Sequence, residues 1–516
     1  MDGEGVDEVV LRVGALTADE VVAVARRGAA VRLSDEARAE ILATRKVIEA
    51  MADDVEPHYG VSTGFGALAT KHIRPEDRAQ LQRSLIRSHA AGSGPEVERE
   101  VVRALMLLRL ATLATGRTGV RLETAECYAA MLNAGITPVV HEFGSLGCSG
   151  DLAPLSHCAL AAMGEGTVRV DGVVVPAADA LGSAGIAAVQ LAEKEGLALI
   201  NGTDGMLGML VLACHDLDVL LRTADITAAM SVEAQLGTDA VFAADIQALR
   251  PHPGQADSAA NLRAVLAHSA IMESHRGPDC TRVQDAYSLR CAPQVHGAAR
   301  DTLAHARTVA ERELASAIDN PVVTLDHRVE SNGNFHGAPV GYVLDFLAIA
   351  VADLASMSER RTDRFLDVAR SHGLPGFLAG DPGVDSGHMI VQYTQAAIVS
   401  ELKRLAAPAS VDSIPSSAMQ EDHVSMGWSA ARKLRRALDG LTRVLAVELL
   451  TAARALDLRA PLEPAPATAA VRDALRHDVP GPGPDRFLAP EIDRAVDLVR
   501  SGAVVGTAAG VCGPLR

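Results

Sequence analysis

Four stretches of this 516-residue chain, at 205–236, 342–368, 386–407 and 424–457, keep apolar residues at three- and four-residue spacing for many turns. Side chains three and four apart share one face of a helix, so this is the pattern of long helices and not of strands. A chain dominated by such runs must bury those faces by laying helices side by side. The composition suits that packing, because aromatic residues are only 3% while small and medium aliphatic side chains abound. Strand signals are few. "TVRVDGVVVPA" at 167–177 carries an Asp-Gly turn between β-branched runs, and "NPVVTLDHRVESNGN" at 320–334 has the form of a second hairpin. The expected fold is mainly α, a long-helix bundle with a few short hairpins. Residues 1–200 are expected to form a mixed N-terminal region of short helices and Gly-rich loops, and residues 201–516 the bundle. The proline-rich segment 461–487 is expected to run over the surface ahead of one final short helix.

The formal charge of −17 argues against a nucleic-acid partner, which needs clustered cations against phosphate. Seven cysteines, at 127, 148, 158, 214, 280, 291 and 512, include no C-x-x-C pair, which argues for a reducing compartment and against a structural zinc site. His388 and His423 likewise match no common metal spacing. The opening "MDGEGVDEVVLRVG" lacks a basic region followed by an apolar core, and the best uninterrupted apolar run, "MLGMLVLAC" at 206–214, is far shorter than the ~20 residues of a membrane span. A cytoplasmic protein without a membrane partner is expected.

The stretch "HEFGSLGCSGDLAPLSH" at 141–157 has two uses. Ser149 or Asp151 can cap a helix beginning at "LAPLSH", with Pro154 tolerated in its first turn. Alternatively, glycine after serine leaves an unhindered backbone nitrogen, so a tight bend can press the Gly150 nitrogen against the Cys148 carbonyl. Cyclisation with loss of water, then loss of water from Ser149, leaves an exocyclic methylidene conjugated to an imidazolone. The Cys148 side chain hangs outside that ring. Such a group is a strong electrophile made from the chain itself.

In this second use the segment resembles the prosthetic-group loop of the aromatic amino acid ammonia-lyase family, whose usual triplet is Ala-Ser-Gly within G-S-x-G-A-S-G-D-L-x-P-L-[AS]-H. It departs from that pattern at Cys148. Six further blocks appear in the family's order: "YGVSTGFG" at 59–66, "LQRSLIRSHAAGSG" at 81–94, "LALINGTDGM" at 197–206, "VQDAYSLRCAPQVHG" at 283–297, "NGNFHGAPV" at 332–340 and "SVDSIPSSAMQEDHVSMG" at 410–427. The resemblance implies the helical fold of the fumarase/aspartase-like group, although the fumarase loop G-S-S-x-M-P-x-K-x-N is absent. It also implies a homotetramer with shared active sites, no diffusible cofactor, and a 4-methylidene-imidazol-5-one (MIO) formed from Cys148, Ser149 and Gly150.

Each site residue also has a plainer explanation. Tyr59, between a histidine and a glycine, reads alone as a loop aromatic; by resemblance it is the base, which requires it to lose its proton below the usual value of about 10. Gln284, Tyr287 and Arg290 are spaced by three, so on a helix they fan over one side, and alone they read as a solvated surface. Set around an amino acid, Arg290 offers a planar fork for the α-carboxylate, and Gln284 and Asn201 orient its polar backbone. The resemblance puts Tyr287 at the amine and Phe335 beside the electrophile. His89 can be a satisfied histidine in a packed loop, and Glu421 an acid of a helix's first turn. An imidazole ring, however, needs partners for two nitrogens, which a carboxylate and a second imidazole provide.

Ser88-His89 together with Glu421 resembles the branch of the family that acts on histidine. Relatives acting on phenylalanine or tyrosine tend to carry an aromatic-Leu or His-Leu pair at 88–89 and to lack the Glu. Met419 stands where relatives are commonly polar, a second departure. The reaction so implied is non-oxidative deamination of L-histidine to trans-urocanate and ammonia, the first step of histidine breakdown: the amine adds to the methylidene and Tyr59 removes the β-proton. The alternatives are a phenylalanine or tyrosine lyase or aminomutase with the same electrophile, and a non-catalytic helical scaffold.

Overall fold

Long helices occupy the stretches that the periodicity singles out. The computed structural model describes residues 6–52, 54, 63, 73–277, 280 and 283–516. It places helices at Asp204–Ala234, Ala338–Leu366, Met389–Leu405 and Gly427–Asp457, with a fifth at Ala292–Leu314. The fifth is the least legible in sequence, because only Leu303 and Leu314 are large aliphatics on its buried face, the rest being alanines with Pro293, His296 and Gly297, among exposed charges. Both proposed hairpins form. Thr167–Val170 pairs antiparallel with Val173–Pro176 across Asp171 and Gly172, both at positive φ, and Val322–Val323 pairs with Val329–Glu330. A parallel pair, Glu8–Leu11 with Ala30–Leu33, lies near the N-terminus.

The segment expected to be surface loop at 461–487 instead contains a helix, Pro466–Arg476. Pro466 sits in the first turn, where its missing N–H costs nothing, and Val471 and Leu475, four apart, are buried. Two helices follow rather than one, Ala489–Arg500 and Ala503–Cys512. Among the described residues one helix, Ala338–Leu366, is long and apolar enough to cross a membrane, and 61% of its apolar window is buried inside the protein. Asp345 and Asp353 interrupt it, so it shows no unbroken apolar run in the sequence.

One apolar core takes in residues from both sides of position 200. Buried polar groups tie the two together. Arg109, fully buried, pairs with Asp204 at 2.8 Å and donates to the carbonyls of Ala198 and Asn201, at 3.0 and 2.8 Å. The Trp428 indole donates to the Glu142 carbonyl at 2.7 Å.

Inside the bundle the Glu448 carboxylate accepts from Thr227, Ser231 and Ser358 at 3.0, 2.7 and 2.6 Å, and from Arg361 Nη2 at 3.0 Å. These residues belong to three helices. Burial works against the Glu448 charge, but Arg361 and the hydroxyls outweigh it and hold the carboxyl below its ordinary range. Truncating Glu448 to alanine leaves the fully buried Arg361 without its counter-ion. Glu448→Ala is therefore expected to destabilise the fold by about 3–5 kcal/mol, read as a lower urea midpoint at unchanged slope, whereas an unchanged midpoint would show the ion pair to be idle.

Candidate active site

The loop 144–151 is shaped by contacts that only glycine permits. Gly150 has φ +77°, and a Cβ there would lie 2.0 Å from the Gly202 carbonyl oxygen. The two glycines form a parallel bridge, and the Asp151 amide donates to the Gly202 carbonyl at 2.7 Å. At Gly147, φ +67°, a Cβ would meet the Ser425 hydroxyl at 2.3 Å. That hydroxyl donates to the Gly147 carbonyl at 2.8 Å, the Gly337 amide donates to the same oxygen at 3.1 Å, and the Met426 amide donates to Leu146 at 2.8 Å. Three distant segments, around 202, 337 and 425, thus clamp the loop through its backbone.

Asp151 completes the clamp. It stands at the start of the Leu152–Ala162 helix but makes no side-chain cap there. Its Oδ2 instead accepts from the amides of Gly205 and Met206, both at 2.9 Å, in the first turn of the Asp204–Ala234 helix, and its Oδ1 accepts from the Ser145 hydroxyl at 2.9 Å. The carboxyl is fully buried, and burial pushes it up to about 7 against the pull of those donors. The cap weighed in sequence for the helix beginning at Leu152 is therefore not made by the Asp151 side chain, which instead satisfies the first turn of a helix more than fifty residues away.

Ser149 sits half-buried at the head of this loop, beside the buried Cys148. Its hydroxyl donates to Glu421 Oε1 at 3.0 Å. The Cys148 thiol and the Ser416 hydroxyl both donate to Glu421 Oε2, at 3.2 and 2.9 Å. Burial pushes the Cys148 thiol up to about 12, with the Glu421 charge adding to the effect, so it remains a protonated donor near neutral pH. Glu421 and Ser416 are neighbours because their backbones pair antiparallel, the Ser416 amide donating to Glu421 at 3.0 Å and the Glu421 amide to Ser416 at 3.3 Å. The loop they close carries Ser417, Ala418 and Met419 at φ +51°, +54° and +69°. Three consecutive left-handed residues without glycine are costly, and such backbone persists where a site is over-determined by its surroundings. Met419 lies in that loop, 66% exposed.

Asn201 adjoins Gly202, nine-tenths or more buried, its side-chain amide donating to the Leu197 carbonyl at 3.2 Å. Phe335 is half-buried two residues ahead of Gly337, which holds the reactive loop. His89 ends the Arg78–His89 helix with Nδ1 2.9 Å from the Leu85 carbonyl and 3.1 Å from the Ser88 hydroxyl. No hydrogen bond joins His89 to Glu421.

Arg290 Nη2 donates to Gln284 Oε1 at 2.9 Å, and its guanidinium lies 4.7 Å from the centre of the Tyr287 ring. Only Tyr287 and Arg290 are helical, in the single turn Tyr287–Arg290; Gln284 precedes it, and the expected fan along one helix is a loop-and-turn cluster. Tyr287 is 69% exposed, and no contact among the described residues links the cluster to Ser149 or Glu421 within one chain. Tyr59 lies outside the described residues. Among the described residues no group of three or more His, Cys, Asp or Glu side chains is arranged to hold a metal.

Sequence reasoning missed Ser145, Ser416 and Ser425 as parts of the site. Serine in a loop carries no periodic signal, and only the fold brings Ser425 to a carbonyl more than 270 residues away.

Residues 16–477 match the pattern of the aromatic amino acid lyase family. The chain belongs to that family. It is 67% identical over 509 residues to the histidine ammonia-lyase of Streptomyces avermitilis, covering 98% of this chain and 99% of that protein. The crystal structure of histidine ammonia-lyase from Trypanosoma cruzi superposes with a TM-score of 0.90 at 40% identity, over 98% of this chain and 95% of that one. Tyrosine aminomutase from Streptomyces globisporus gives a TM-score of 0.93 at 39% identity, over 99% and 100%. A lyase fold thus frames the clamped Cys148-Ser149-Gly150 loop.

Gly150→Ala is expected to abolish the near-ultraviolet absorbance of a cyclised loop and to lower the thermal midpoint, because the new Cβ cannot share space with the Gly202 carbonyl. Normal absorbance and an unchanged midpoint would show that the loop does not depend on this contact.

Proposed function

We propose that this lyase deaminates L-histidine to trans-urocanate and ammonia, using an MIO group formed autocatalytically from Cys148, Ser149 and Gly150. The observation that carries the reading is the Glu421 carboxylate 3.0 Å from the Ser149 hydroxyl. It sets an acceptor for a ring N–H beside the atom that becomes electrophilic, and the 67% identity to a histidine ammonia-lyase agrees with it. The residues present fit the group: the backbone of Gly150 is pressed where no side chain fits, and the loop is clamped on both sides of Ser149. Once formed, the ring supplies an electrophilic carbon that captures an amine.

The chain's own residues do the rest. An α-ammonium leaves poorly and a β-hydrogen is weakly acidic, so the substrate must be held with its amine at the electrophile and its β-carbon at a base. Arg290, whose Nη2 already donates to Gln284, binds the α-carboxylate, and Asn201 orients the amino acid backbone. Tyr287 assists at the amine, Tyr59 takes the β-proton, His89 and Glu421 hold the imidazole, and Phe335 walls the pocket. No metal and no diffusible cofactor enter this scheme.

The cluster of Gln284, Tyr287 and Arg290 makes no contact with Ser149 in one chain, and Tyr287 is exposed, which supports a site completed by another subunit. Tyr342, Phe346 and Ile349 on one long helix, and Ile390 and Tyr393 on the next, are exposed large side chains of the kind that helix-to-helix assembly covers. A cytoplasmic homotetramer with shared active sites accommodates both features, and free thiols at all seven cysteines suit a reducing compartment.

Two substitutions test the reading. Ser149→Ala is expected to cut urocanate formation more than about a thousandfold with the fold retained; near-wild-type turnover would defeat the mechanism. Glu421→Gln is expected to lower kcat/KM for histidine far more than any residual turnover of phenylalanine. Equal losses on both would point to the phenylalanine or tyrosine alternatives.

A further inference from the structure

The Glu421 carboxylate accepts hydrogen bonds at both of its oxygens. Its Oε2 accepts two hydrogen bonds, from the Cys148 thiol at 3.2 Å and the Ser416 hydroxyl at 2.9 Å. Its Oε1 accepts from the Ser149 hydroxyl at 3.0 Å. A glutamate's terminal torsion is otherwise soft and roughly two-fold, so an unheld carboxylate would turn freely in the pocket. Two donors on one oxygen, approaching from different segments, fix its plane.

The three donors differ in fate. Formation of the electrophile takes the Ser149 hydroxyl away with an α-hydrogen as water, so the bond to Oε1 is lost in maturation. The thiol and the Ser416 hydroxyl are untouched by that step. Cys148 lies outside the ring that forms, and Ser416 is anchored by its backbone pairing with Glu421. Oε2 therefore remains occupied while Oε1 is vacated beside the new electrophile.

We propose that Cys148 and Ser416 are positioning residues for substrate recognition: together they hold Glu421 Oε2 so that Oε1, freed by the dehydration of Ser149, accepts the ring N–H of an imidazole substrate. The inference rests on the histidine reading above and extends it to two residues that touch neither the amine nor the β-carbon. Burial keeps the Cys148 thiol protonated, so its donor persists near neutral pH. A pre-aimed acceptor spares the substrate the cost of ordering it.

The test uses the full-length assembled enzyme and two inert acids of like shape, imidazolepropionate, which has a ring N–H, and phenylpropionate, which has none. Intact mass first establishes that each variant has lost two waters. Cys148→Ala and Ser416→Ala are each expected to weaken imidazolepropionate binding about tenfold, the loss of one charge-assisted hydrogen bond, and to leave phenylpropionate binding unchanged. Cys148→Ser and Ser416→Thr, which keep a donor, are expected to restore it. The S–H stretching band, assigned by its disappearance in Cys148→Ala, is expected at the frequency of a hydrogen-bonded thiol and to move to that of a free thiol in Glu421→Ala. Equal weakening of both acids, no weakening of either, or an S–H band unmoved by Glu421→Ala overturns the proposal. If Cys148→Ala fails to mature, Ser416→Ala and its threonine rescue read the same oxygen. A wild-type protein that matures but binds both acids alike overturns the histidine reading itself, whereas an imidazole preference that survives both alanine variants overturns only the positioning role.

Discussion

The contact between Gly150 and Gly202 is the constraint on which the site depends. Two backbones approach so closely that no side chain fits between them, and the approach is fixed on both sides by other bonds. From Gly202 the chain runs directly into the Asp204–Ala234 helix, whose first turn is capped by Asp151 from the reactive loop itself. The loop and the start of a central helix therefore hold each other. Strain of this kind is sustained by the surrounding structure, and a loop bent hard enough to bring Gly150 back on Cys148 needs such a frame.

The frame is stiffened by polar pins set in an apolar interior. Arg109 with Asp204, Glu448 with Arg361, and Lys194 with Asp319 are all buried ion pairs that join segments distant in sequence. Asp225 adds His296 and Arg300, and despite burial the Arg300 charge and the hydrogen bonds from His296 and Ser258 hold it down to about 2. Such pairs add little net stability over well-packed apolar groups, but each is costly to misalign, so they favour one arrangement of the helices over its neighbours. This matters for a site whose parts come from residues around 149, 202, 335 and 421.

Much of the fold was legible because it rests on local rules. Helical periodicity marked four of the long helices, and the Asp-Gly dipeptide marked a hairpin at its turn. The Ala292–Leu314 helix and the Pro466–Arg476 helix were harder to read, since small residues blur an apolar face and proline announces a helix start as readily as a break. For the site, Ser149, Gly150 and Glu421 carry chemistry in their residue types, and a family resemblance could place them. The serines at 145, 416 and 425 could not be found in that way. Their role is set by which carbonyl or carboxylate the fold delivers to them, and that is a property of long-range packing. The pairing of Glu421 with Cys148 and Ser149, rather than with His89, is of the same kind.

The central claim is that Ser149 surrenders its hydroxyl and the loop closes on itself. Peptide mass mapping of freshly purified, fully active protein across residues 141–157 tests it most directly. The account predicts a segment lighter than the encoded peptide by two water molecules, with fragmentation confining the loss to residues 148–150. An unmodified segment of the encoded mass, in protein that turns over histidine, would contradict it.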